Sequence, residues 1–62
     1  DFSGFFQAFP FIDATKFARA IGLNPSLMRK YKNGLAFASE KQKALIQDKF
    51  NEIVSNMVTV QF

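Results

Sequence analysis

Apolar residues recur at helical spacing along most of this 62-residue chain. The first set is four phenylalanines at i, i+3, i+4 and i+7, namely Phe2, Phe5, Phe6 and Phe9. Ser3 is the expected N-cap of this helix, and Pro10 ends it because a proline disfavours the α conformation of the residue before it. We expect the stripe to enter the core. A partner groove or a membrane-surface face is the alternative, although no basic residues flank the stripe.

Two short helices follow, and capping residues mark their boundaries. Asp13 is the expected N-cap of the second helix, and Gly22 supplies the positive φ that ends it. Asn24 caps the third helix with Pro25 in its first turn, and Gly34 follows the end of that helix. The inward-facing residues of the two helices are Phe17, Ala18, Ile21, Leu27, Met28 and Tyr31.

A longer helix and a tail of different pattern complete the chain. Ser39 and Gln42 have the spacing of a capping box, which starts a fourth helix. Its apolar residues at helical spacing are Leu45, Ile46, Phe50, Ile53, Val54 and Met57. Val58, Val60 and Phe62 alternate with polar residues, which predicts a short strand paired with an upstream region or another copy. The expected fold is a small all-α, four-helix single domain over residues 1–62 with a short C-terminal strand.

The composition narrows the classes of function. The chain has no cysteine and no histidine, so the usual nucleophiles, general bases and zinc ligands are missing. We therefore expect neither an enzyme nor a cofactor or metal site. No apolar run is long enough for a transmembrane helix, and no membrane partner is expected. The start at Asp1, without a methionine, favours the C-terminal part of a longer protein.

Charge is unevenly distributed along the chain, although the net charge is only +3. Residues 14–43 carry seven basic side chains against Glu40, a balance of +6, while the remaining residues carry Lys49 against four acidic side chains, a balance of −3. A basic middle segment is typical of an electrostatic footprint for nucleic acid, and it is also common on ordinary solvated surfaces.

The second and third predicted helices have the spacing of a helix-turn-helix. Ala18, a small residue, stands four positions before the turn glycine Gly22, where the two helices of such a motif cross closely. Met28 and Tyr31 follow that glycine by six and nine positions, where the motif buries its second helix. We therefore predict a helix-turn-helix with the fourth helix as its support.

The stretch from Phe17 to Gly34 resembles the lambda-repressor-like, Xre-type family of helix-turn-helix proteins. More narrowly, the whole chain is similar to the C-terminal domains of HicB-type antitoxin-like proteins of Bacteroides and its relatives. The resemblance implies a bacterial, cytoplasmic, homodimeric DNA-binding regulator of transcription that autoregulates its operon, and it leaves open a toxin protein as a further partner. Pro25 stands where the family often has a polar residue, which leaves apolar contact, for example with a thymine methyl.

The residues expected to contact double-stranded DNA follow from the geometry of the motif. Its second helix lies in the major groove, and the outward side chains there are Ser26, Arg29, Lys30 and Asn33. Arg29 and Lys30 are the expected base readers because both can bind guanine O6 and N7. Phosphate contacts are expected from Lys16, Lys32 and Asn24, together with the backbone N–H groups at the start of the helix.

Dimerisation and an alternative function stay open at this level. The apolar face of the fourth helix and the tail 58–62 are the expected dimer surface. Phe37 either fills the gap between the third and fourth helices or is an exposed dimer contact. The alternative function is a protein-interaction module that keeps the helix-turn-helix without binding DNA. The basic cluster of Arg29, Lys30 and Lys32 argues against it, because an interaction module has no need of that charge.

Overall fold

The computed structural model describes residues 1–62 and contains four α-helices and no strand. The helices are α1 (Phe2–Ala8), α2 (Ala14–Ala20), α3 (Pro25–Lys32) and α4 (Glu40–Met57). The predicted small, four-helix all-α domain is confirmed. None of these helices combines the length and the apolar character needed to cross a membrane.

Short-range capping explains where α2 and α3 begin. The Asp13 Oδ1 atom accepts a hydrogen bond of 2.9 Å from the backbone N–H of Lys16, and Asn24 Oδ1 accepts one of 2.8 Å from the N–H of Ser26. These bonds satisfy N–H groups that the first turn of a helix leaves unpaired. The N-cap of α1 is Asp1 rather than the predicted Ser3, because the Asp1 carboxylate reaches the N–H three residues ahead at 2.6 Å.

Two glycines end α2 and α3. Gly22 has a φ of 76° and Gly34 a φ of 72°, the left-handed region that side chains with a Cβ rarely adopt. This conformation turns the chain so that the N–H of Leu23 donates to the carbonyl of Ala18 at 2.8 Å. The predicted ends of both helices are confirmed.

The core is formed by the helix faces that the spacing predicted. Its buried residues are Phe6, Ala14, Phe17, Ala18, Ile21, Met28, Tyr31 and Ile46. Ala18 and Met28 are fully buried where α2 packs against α3. Tyr31 is a core residue whose ring stacks on Phe2 with 5.3 Å between centroids. The expectation for the phenylalanine stripe is wrong only at Phe9, which lies beyond the end of α1 and is 44% exposed.

The C-terminal strand predicted for residues 58–62 does not form. The N–H of Val58 donates to the carbonyl of Val54 at 3.1 Å, and the N–H of Val60 donates to the carbonyl of Met57 at 3.1 Å. The tail therefore satisfies part of its backbone by turns that extend α4, since no second strand is present to pair with it. Phe37 is 88% exposed, so the gap-filling role considered for it is also wrong.

Candidate nucleic-acid interface

The two sides of α3 differ in burial and in charge. Met28 and Tyr31 are buried on the side that faces the domain. The residues exposed on the outward side are Ser26, Arg29, Lys30 and Asn33. No acidic residue occurs in α3, and three of its eight residues are basic. The structure thus leaves the four predicted groove-facing side chains accessible together on one face, with Pro25 half-buried at its start.

Arg29 is held by two hydroxyl groups. Its Nη1 atom donates to Thr15 Oγ1 on α2 at 2.9 Å, and its Nη2 atom donates to Ser26 Oγ at 3.0 Å. The guanidinium group thereby bridges the two helices while the residue stays exposed. Thr15 was not among the predicted site residues, because it lies 14 positions from Arg29 and no local spacing connects the two.

The start of α3 offers fewer free donors than predicted. Pro25 has no N–H, and the N–H groups of Ser26 and Leu27 both donate to Asn24 Oδ1, at 2.8 and 3.2 Å. The N–H of Met28 donates to the Asn24 carbonyl. The phosphate contacts predicted for the backbone N–H groups at this end stay a prediction, because the cap competes for these groups, and the Asn24 side chain keeps only its amide nitrogen free.

The predicted phosphate ligands Lys16 and Lys32 are both exposed, and both act on Asp13. The Lys32 Nζ atom lies 5.7 Å from the centre of the Phe6 ring, which places it on the side of α3 that faces α1. The pKa of Asp13 is lowered, chiefly by the hydrogen bond from the Lys16 N–H. Desolvation, the next-largest effect, raises this pKa, and the Thr15 N–H and the charges of Lys16 and Lys32 lower it further. An acidic residue therefore lies within the basic surface, which the charge balance along the chain did not show.

The domain has no candidate metal site, and comparison with known proteins assigns it to no family. No three His, Cys, Asp or Glu side chains are grouped so that they could hold a metal ion. The chain matches no protein-family model, no curated protein and no solved structure.

Proposed function

We propose that this domain binds duplex DNA through the outward face of α3 and acts as a sequence-specific regulator of transcription. The observation that carries the proposal is the division of α3 into a buried face and an exposed face with Arg29 and Lys30. A helix joined by a tight turn to a second helix packed across it is the arrangement that enters a major groove. The absence of acidic residues from α3 keeps the approach to phosphates free of repulsion from this helix.

The hydrogen bonds of Arg29 support its assignment as a base reader. A long side chain held by Thr15 and Ser26 loses less conformational entropy when it binds. The planar guanidinium group keeps further N–H donors for guanine O6 and N7, the commonest specific contact in the major groove. Lys30 and Asn33 lie on the same exposed face, and an Asn amide in this setting reads adenine.

A titration of duplex DNA by fluorescence anisotropy, repeated at several salt concentrations, tests the proposal. We expect binding to a random-sequence duplex that weakens steeply with salt. The Arg29→Ala and Lys30→Ala variants should each weaken this binding through the loss of one positive charge, and should cost about 1–3 kcal/mol on a duplex that carries the base the residue reads. Lys49→Ala is the matched control, because it removes the same charge from α4, where Lys49 lies 3.9 Å from Glu52. Isotherms of Arg29→Ala and Lys30→Ala that coincide with wild type would exclude α3 as the DNA-binding helix.

A second candidate function is the docking of a partner protein, and one observation favours it. Leu35 and Phe37, in the loop that follows α3, are both exposed large apolar residues. Absence of DNA binding at low salt, by a sample shown to be folded, would favour docking over DNA binding.

A further inference from the structure

The second half of α4 is only partly covered by the rest of the domain, through Phe50 and Ile53. Ile46 is the only buried residue among the 18 of α4. Val54 and Met57 stand four and seven positions after Phe50, on the same side of the helix, and are 38% and 58% exposed. Helices in proteins owe most of their stability to the burial of such a face. Val54 and Met57 therefore leave part of this face without a partner inside the chain.

Two aromatic residues from the α1–α2 loop extend this surface. Phe11 contacts Phe9, with 6.3 Å between ring centroids, and Phe9 contacts Phe5 at 5.4 Å. Phe5 in turn contacts Phe50 of α4 at 5.4 Å. The exposed ring of Phe11 is thus linked to α4 through a continuous series of aromatic contacts. We call the residues Phe9, Phe11, Phe50, Val54 and Met57 the apolar face.

We propose that the apolar face binds the same face of a second copy of this chain. None of its five residues is charged. Beside it on α4, Lys49 and Glu52 form an ion pair of 3.9 Å, and Gln47 donates a hydrogen bond of 2.9 Å to Asn51. In a two-fold dimer the same surface of each copy lies at the interface, so a charged residue there would face the like charge of the second copy. A face without charged residues, beside charges that are already paired, avoids this repulsion. A strongly acidic or basic partner would find no complementary group there.

The size of the apolar face sets the strength that we expect of the dimer. Phe11 is 78% exposed and Phe9 is 44% exposed, so these two rings provide a large share of the accessible surface. With Val54 and Met57 the exposed area is roughly 500 Å² per copy, so that a pair buries about 1,000 Å², the lower limit of a specific interface. The dimer should therefore be weak and dependent on concentration.

The apolar face contains none of the residues proposed to contact DNA. Two copies joined through it keep both α3 helices accessible, and one copy supplies few phosphate contacts alone. This link to DNA rests on the proposed function. The association itself does not, and it can be measured without DNA.

Sedimentation of the whole chain in the absence of DNA, over a range of concentrations, tests the interface. We expect a monomer–dimer equilibrium whose dissociation constant rises at least about tenfold in Val54→Asp, because the pair would have to bury an unpaired charge. Ser55→Asp is the matched control, since it adds the same charge on the polar side of α4, beside Asn51 and Glu52, and should leave the equilibrium unchanged. A chain that stays monomeric up to about 1 mM, or equal effects of the two variants, would overturn the proposal.

A cross-linking experiment gives an independent readout. The chain has no cysteine, so Val54→Cys introduces the only thiol. Oxidation should convert this variant into a covalent dimer faster than Ser55→Cys, whereas equal rates would contradict the interface. The Arg29→Ala/Lys30→Ala double variant separates the two proposals, because it should sediment as wild type does. A wild-type chain that binds DNA and stays monomeric refutes the interface alone, and a wild-type chain that dimerises without binding DNA refutes the proposed function alone.

Discussion

The charge of Arg29 is evident from the sequence, but the two hydroxyl groups that hold its guanidinium group are evident only from the structure. Thr15 Oγ1 accepts the hydrogen bond from Nη1, so Thr15→Val should release the guanidinium group while keeping the shape of the side chain. We expect DNA binding to weaken by about 0.5–1.5 kcal/mol, the usual worth of one hydrogen bond. Anisotropy titration measures this effect, and Thr15→Ser, which keeps the hydroxyl, should restore wild-type affinity. Equal affinities of wild type and Thr15→Val would show that Arg29 needs no support from α2.

Protonation of Asp13, the N-cap of α2, should make the stability of the domain depend on pH. Its pKa lies below the ordinary value of 3.8, chiefly because the Lys16 N–H donates to the ionised carboxylate. A lowered pKa in the folded state contributes stability that is present above pH 3.8 and is lost as the pH falls through the folded value. In Asp13→Asn, which caps a helix about as well, the melting temperature at pH 7 should change little and should fall less on acidification. Thermal melts followed by circular dichroism between about pH 2 and pH 7 measure the difference. Parallel profiles of the two proteins would assign the acid sensitivity to other carboxylates.

At the scale of elements, the helix boundaries that the sequence predicted correctly are those set by residues close along the chain. The N-caps Asp13 and Asn24 act on N–H groups two or three residues ahead, and Gly22 acts on the turn in which it lies. Such features are visible in a short window of sequence. The helical spacing also identified the buried faces of α2 and α3 correctly. Residues three and four positions apart lie on one side of a helix, and the apolar side packs against the neighbouring helix.

Apart from the two ends of α1, where Asp1 and not Ser3 is the N-cap and Phe9 lies outside the helix, the errors concern features that depend on distant parts of the chain. The alternation in the tail 58–62 is an ordinary strand pattern, yet a strand needs a partner and the chain contains none. The apolar spacing of α4 is regular from Ile46 to Met57, but the spacing does not show that the domain covers only the first part of that face. The contact between Arg29 and Thr15 is likewise set by the packing of α2 against α3.

At the scale of the whole molecule, the two proposed binding surfaces lie on different helices of an elongated domain. The domain measures 38 × 23 × 18 Å, and α4, at 18 residues, is its longest helix. The proposed contacts with DNA come from α2 and α3, whereas the apolar face involves the second half of α4 and the loop after α1. One copy places two predicted phosphate-binding cations on the motif, Lys16 and Lys32, beside the proposed base readers Arg29 and Lys30.

The salt dependence of DNA binding should therefore report how many copies contact one duplex. The logarithm of the affinity falls with the logarithm of the salt concentration with a slope of about −0.9 per phosphate contact, so the two contacts of one copy give about −1.8 and the four contacts of two copies about −3.6. For a duplex of about 30 base pairs, we expect the steeper slope for wild type and for Ser55→Asp, and the shallower one for Val54→Asp. Anisotropy titrations at four or more salt concentrations provide the slopes. Equal slopes in all three proteins would mean that the dimer does not present both α3 helices to the same duplex, even where sedimentation shows that it forms.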